Sequence, residues 1–162
     1  MKYGFFDDKN KEYIITNPQT PVKWINYIGS LAFGGFVDQT GNALICCKDP
    51  SLNRITRYIT ILPNSEMKGT TLYIRIKKEN GSFMFFSPFF VPTLDRYDLY
   101  ECHIGLQYTK VISEFYSIRS EITIFIPNNK NVEIRNIKIT NLFQNITSPH
   151  SGLLWNRTFC IF

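Results

Sequence analysis

The sequence predicts an all-β protein, an antiparallel β-sandwich, and three observations carry that prediction. Of its 162 residues, 14 are Phe and 9 are Tyr, and aromatic and β-branched side chains suit a pleated, half-buried surface. Apolar and polar residues alternate at period two in several stretches, whereas no window of ~11 residues sustains the three-and-four spacing of an amphipathic helix. The eight prolines, Pro18, Pro21, Pro50, Pro63, Pro88, Pro92, Pro127 and Pro149, fall between the alternating runs, where many strands would be joined by loops. The length fits one domain with enough chain to bury a core. At 44% hydrophobic, the chain has ample apolar area to offset its ordering entropy, which excludes a disordered class.

Taken in order, residues 32–37, the turn Asp38-Gln39-Thr40-Gly41-Asn42 and residues 43–46 read as a hairpin. Leu72, Ile74 and Ile76 share one face of a half-buried strand, with Tyr73, Arg75 and Lys77 on the other. The cluster Lys78-Glu79-Asn80-Gly81-Ser82 then turns the chain into a partner strand at 83–86. Residues 100–126 offer two or three more strands, broken near Gly105 and near Ser117. Val132 and Ile134 lie on one phase, Ile137 and Ile139 on the other. The slip at Arg135-Asn136 predicts a bulge, or a strand passing between environments. Thr140-Asn141 ends that strand. No internal repeat or low-complexity segment stands out.

Eighteen Lys and Arg against 13 Asp and Glu give a net charge of +5. The basic residues are scattered, so an ordinary solvated surface is the expected reading, with anion affinity the smaller one. A nucleic-acid binder needs a clustered cationic face interleaved with aromatics, which the sequence does not show. Cys46 and Cys47 point to opposite faces of a strand, no C-x-x-C spacing exists, and only His103 and His150 add imidazole; no metal site and no cofactor are expected. No run of ~18 apolar residues exists to span a bilayer. The opening MKYGFFDD lacks the apolar stretch of a signal peptide, so a cytoplasmic setting with free thiols is expected. Three glycosylation-type triplets, at Asn80, Asn145 and Asn156, are then chance matches.

Catalytic machinery is hard to assemble. Cys102 and His103 diverge if extended, and His150 lies in a Pro-rich loop, so neither histidine makes a nucleophile pair. Asp7-Asp8 reads as a solvated turn rather than paired acids. Gly34-Gly35 precedes no helix, so it reads as a close backbone approach rather than a phosphate cradle. Trp24, Tyr27 and Tyr58 are candidates to stack on a sugar's C–H face or to pack in the core or against a neighbouring domain. Arg54 and Arg57 are candidates for an inter-domain ion pair or an anion contact. No residue is assigned as catalytic.

Read as a string, the residues resemble the cellobiose and chitobiose phosphorylases, a family of inverting glycoside phosphorylases formerly grouped as glycosyltransferase family 36. Tyr3-Gly4-Phe5-Phe6-Asp7-Asp8 and Glu12-Tyr13-Ile14-Ile15-Thr16 are similar to the opening of those enzymes. So are Pro18-Gln19-Thr20-Pro21, Trp24-Ile25-Asn26-Tyr27-Ile28-Gly29, Lys48-Asp49-Pro50 and Asn53-Arg54-Ile55-Thr56-Arg57-Tyr58. Leu72-Tyr73-Ile74-Arg75, His103-Ile104-Gly105-Leu106, Tyr108-Thr109, Ser113-Glu114, Ile124-Phe125-Ile126-Pro127 and Val132-Glu133-Ile134 complete an ordered series running to about residue 142.

The resemblance implies phosphorolysis of a β-linked di- or oligosaccharide such as cellobiose, with inorganic phosphate as co-substrate and inversion at the anomeric centre. It also implies a galactose-mutarotase-like supersandwich that docks onto an (α/α)-barrel and helps form a homodimer. In that family the general acid and the phosphate-binding residues belong to the barrel, so none has a position here. The expectation is a non-catalytic, incomplete sandwich over residues 1–142, inactive alone, with a divergent tail over 143–162 from a frameshift or truncation. Unpaired edges would make it marginally stable and prone to aggregate. A stand-alone carbohydrate-binding module is the alternative. One departure concerns Gln107, which stands where the family usually has Gly; a positive φ there would strain it.

Overall fold

The computed structural model describes residues 2–59, 61–78 and 80–142, and the backbone of residues 152–161. Their regular structure is entirely strand: β1 (Gly4–Asp7), β2 (Glu12–Ile15), β3 (Ile25–Gly29), β4 (Phe33–Asp38), β5 (Ala43–Cys47), β6 (Ile74–Lys77), β7 (Phe83–Phe86), β8 (Leu99–Gly105), β9 (Tyr108–Phe115), β10 (Ile118–Phe125), β11 (Glu133–Asn141) and β12 (Gly152–Ile161). A seven-stranded sheet runs β1-β2-β8-β9-β10-β11-β12, beside a three-stranded sheet β3-β4-β5 and the ribbon β6-β7. Each pairing is antiparallel.

Period two decides which residues meet. Ile28, Phe33, Val37, Ala43 and Ile45 point inward from the small sheet, and Ile15, Tyr100, Cys102, Val111, Ile122, Ile124 and Ile137 from the large one, forming one buried cluster. The opposite face of the large sheet carries charge instead: Glu121 meets Lys138 at 3.0 Å and Lys110 at 3.8 Å across strands, and Arg119 at 3.6 Å along its own. The alternation is thus that of a sandwich half, one face dry and one wet. Gly35 allows the small sheet to close, because a Cβ there would lie 1.8 Å from the Leu44 carbonyl oxygen.

The hairpins at β4–β5 and β6–β7, and the breaks near Gly105 and Ser117, stand as the alternation predicts. The predicted bulge at Arg135-Asn136 does not. β11 pairs with β10 without interruption, and its only register shift, toward β12, lies between Ile139 and Thr140. The phase never slips, because Glu133 and Arg135 occupy the inward positions ahead of Ile137 and Ile139, and Ile134 faces outward. The two inward charges pair with each other, Arg135 Nε donating to Glu133 Oε1 at 2.5 Å. In the stretch expected to diverge, Gly152–Ile161 adds a strand to the large sheet. His150 and the Asn145 triplet lie outside the described residues.

Candidate functional site

Beneath the β4–β5 hairpin the turn is buried, which its polar composition does not announce: Asp38, Gln39, Thr40 and Asn42 are each at most 1% exposed. Asp38 Oδ1 accepts from the Thr40 amide at 2.9 Å, the Thr40 hydroxyl at 2.7 Å and the Asn42 amide at 3.3 Å. Asp38 Oδ2 accepts from the Tyr58 hydroxyl at 3.1 Å and faces Lys23 Nζ at 3.6 Å. The Gln39 side chain donates to the Pro18 carbonyl and the Thr20 hydroxyl and accepts from the Trp24 amide. Burial lowers the pKa of Lys23 against the opposing pull of Asp38, and raises that of Tyr58 together with Asp38. This network fixes the hairpin under residues 18–24 and fixes the small sheet's outer face.

That face displays the cross-strand series Tyr27, Phe36 and Leu44. Phe36 makes edge contacts with Tyr27, centroids 6.3 Å apart, and with Tyr58 at 5.1 Å. Tyr27 is 72% exposed, and Ile25 and Leu31 are also exposed beside it. Of the three stacking candidates, only Tyr27 presents its ring to solvent. Tyr58 is 5% exposed with its hydroxyl spent on Asp38, so burial removes it from any sugar-stacking set. Trp24 is half-buried against the rings of Tyr3 and Tyr13 and belongs to packing. Arg54 and Arg57 are both exposed; Arg54 Nε donates to the Pro50 carbonyl at 2.6 Å, and among the described residues neither meets a carboxylate.

The groups with nucleophile chemistry are held inert. Cys102 is fully buried, and burial pushes its thiol well up, away from the thiolate. Its neighbour His103 lies on the opposite face, Nδ1 at 2.7 Å from Glu12 Oε2 and Nε2 at 3.1 Å from Glu101 Oε2. Glu12 also accepts from the Tyr108 hydroxyl. Asp7 caps its own turn, accepting from Lys9 and Asn10. Among the described residues no group of three or more His, Cys, Asp or Glu could hold a metal ion, and no helix is long and apolar enough to cross a membrane.

A cleft of about 540 Å³ opens elsewhere, between Thr16, Asn17 and Gln19 on one wall and Asp95, Arg96 and Tyr97 on the other. Sequence reasoning missed it, because neither loop carries a motif and only the pairing of β2 with β8 brings them together.

Residues 11–145 match the family described as glycosyl hydrolase 94, supersandwich domain. The N,N'-diacetylchitobiose phosphorylase of Vibrio furnissii is 31% identical over 145 residues, which are 87% of this chain and 17% of that protein. A 3-O-beta-D-glucopyranosyl-beta-D-glucuronide phosphorylase of Paenibacillus borealis is 28% identical over 86% of this chain and 16% of its own length. The solabiose phosphorylase of Paenibacillus borealis is 27% identical over 86% of this chain and 18% of its own length. The chain thus spans about 17% of the length of such relatives.

Proposed function

The chain belongs to the glycosyl hydrolase 94 family through its supersandwich domain, and from that membership we propose that it serves as the non-catalytic β-sandwich of a phosphate-dependent carbohydrate phosphorylase. One observation supports this reading above others. Phosphorylases named for three different sugars, diacetylchitobiose, a glucosyl-glucuronide and solabiose, each match 86–87% of this chain at 27–31% identity. A segment shared so evenly among different substrates is a scaffold rather than a selector.

In this reading a β-linked di- or oligosaccharide such as cellobiose is cleaved by inorganic phosphate on a catalytic (α/α)-barrel outside this chain, and the sandwich supports the barrel and a homodimer. Exposed Tyr27, Ile25 and Leu31 supply apolar docking contacts, and Arg54 and Arg57, exposed and without an ion pair among the described residues, supply cations. A reducing, cytoplasmic setting belongs to this reading, and it agrees with thiols that are unbridged at Cys46, Cys47 and Cys102 among the described residues. Incubating the purified chain with cellobiose or N,N'-diacetylchitobiose and inorganic phosphate is expected to release no sugar phosphate. Sustained turnover overturns the reading.

The exposure of Tyr27 favours a second reading, a carbohydrate-binding module. Calorimetric titration with cellobiose and longer β-glucans tests it: heat that vanishes in Tyr27→Ala establishes the module, and no heat at millimolar sugar ends it.

A further inference from the structure

The β6–β7 ribbon is built differently from the rest of the molecule. Its inner face, Ile74, Ile76, Met84 and Phe86, turns toward the protein, with Phe86 fully buried against Phe115 at 5.0 Å. Its outer face sets Arg75 opposite Phe85 and Lys77 opposite Phe83. Tyr73, Phe83 and Phe85 on that face are 54%, 51% and 62% exposed. Arg75 lies over the Phe83 ring at 4.6 Å, and Lys78 approaches Tyr116 at 5.9 Å. Among the described residues, Arg75, Lys77 and Lys78 meet no carboxylate at ion-pair distance. Elsewhere on the large sheet charges are matched across strands, as Glu121 is by Lys110 and Lys138.

The ribbon also has two strands and no neighbour, so the outer backbone edges of β6 and β7 are unpaired among the described residues. An isolated two-stranded ribbon is marginal in water, and an open edge is a template for another strand. The two edges differ in chemistry. A strand added to β6 would place its outward residues beside Arg75 and Lys77 and its inward residues beside Ile74 and Ile76. A strand added to β7 would meet Phe83 and Phe85 instead. Charge complementarity therefore selects the β6 edge, and it selects a strand with acidic residues outward and apolar residues inward.

We propose that β6 is a docking edge for an extended segment of another polypeptide in which acidic and apolar residues alternate. A second copy of this chain does not offer that segment from a free edge: among its other edge strands β1, β3, β5, β7 and β12, only β1, Gly-Phe-Phe-Asp, holds an acidic residue, and Glu114 and Glu121 sit on interior strands already paired to cations. A nucleic acid would use the cations but leave the strand edge unpaired. The inference does not depend on phosphorolysis.

The test is a nuclear magnetic resonance titration of the full chain with an eight-residue peptide of alternating glutamate and valine. Its controls are a lysine–valine peptide and a peptide with the acidic residues grouped at one end. The alternating acidic peptide is expected to shift the amides of Ile74–Lys77 more than those of Phe83–Phe86. Reversing charge in Arg75→Glu/Lys77→Glu, two exposed positions, is expected to weaken it about tenfold with the unliganded spectrum otherwise retained. Equal binding of the lysine peptide, shifts centred on β7, self-association through the ribbon, or tighter binding of a single-stranded oligonucleotide each overturns the proposal.

Discussion

The Gly29 amide donates a 2.9 Å hydrogen bond to the side chain of Gln107, although Gln107 holds a φ of 68° in the β8–β9 turn. A left-handed conformation costs a non-glycine residue ~1–2 kcal/mol, and the bond, which ties β3 to the large sheet, returns about 1 kcal/mol. The strain anticipated at this position is real, and the side chain that causes it offsets most of it. Gln107→Gly removes both terms and is expected to stay within ~1 kcal/mol of the parent. Gln107→Ala keeps the strain and loses the bond, so its urea midpoint falls below that of the glycine variant. An alanine variant as stable as the glycine one would refute the balance.

Glu12 joins His103 and Tyr108, and the titrations of Glu12 and Tyr108 are linked. Burial is the largest influence on Glu12 and raises its pKa, yet the bonds from Tyr108 and His103 together hold it below its ordinary 4.5. Tyr108 is pushed up to about 12, first by the bond it donates to Glu12 and then by burial. A raised pKa in the folded state means Tyr108's contribution is full below pH 10 and lost as pH climbs from 10 through about 12. Glu12, depressed, contributes above pH 4.5 and loses that contribution as pH falls below it. In Glu12→Gln the Tyr108 phenol is expected to titrate lower, toward 10. Phenolate absorbance of that variant minus Glu12→Gln/Tyr108→Phe reads it, and an unmoved titration contradicts the linkage.

Tyr58 and Tyr27 flank Phe36 but answer to different forces. Tyr58 is buried with its hydroxyl on Asp38 at 3.1 Å, so Tyr58→Phe is expected to lower stability by about 2 kcal/mol. Tyr27 stands 72% exposed, and Tyr27→Phe is expected to change stability by less than ~0.5 kcal/mol. Denaturant unfolding of both variants separates a core tyrosine from a surface one; equal losses would mean the outer face is covered more fully than its exposure indicates.

What the sequence disclosed follows from period two. β6 alternates cleanly, and the breaks near Gly105 and Ser117 between the later strands were legible. β1, β2 and β3 read Gly-Phe-Phe-Asp, Glu-Tyr-Ile-Ile and Ile-Asn-Tyr-Ile-Gly, where adjacent apolar residues blur period two, and only the family resemblance touched them. The buried Asp38–Asn42 turn was illegible, because a string of Asp, Gln, Thr, Gly and Asn reads as a solvated hairpin until residues 18–24 are folded over it. Tyr58 belonged to a stacking list for the same reason: composition gives its ring but not the carboxylate that its hydroxyl reaches. The β6–β7 face eluded a search for charge runs, since its cations and aromatics adjoin only across the ribbon.

The misplaced bulge in β11 leads to the sharpest test. Hydrophobicity put Ile134 inward, but the pleat puts Glu133 and Arg135 there, at 0% and 6% exposure. They hold each other at 2.5 Å, Arg135 rests 6.0 Å from the Phe89 ring, and yet among the described residues Glu133 Oε2 and Arg135 Nη2 have no partner. A buried pair with free donor and acceptor capacity recovers less than its desolvation cost, whereas one partner alone is far worse. Arg135→Ala, which strands Glu133, is expected to cost about 3–5 kcal/mol. Glu133→Leu/Arg135→Met continues the apolar row of Ile137 and Ile139 and is expected to match or exceed the parent in urea. If the double variant is as unstable as the single one, the pair itself organises the end of β11, and its charges are needed rather than merely tolerated.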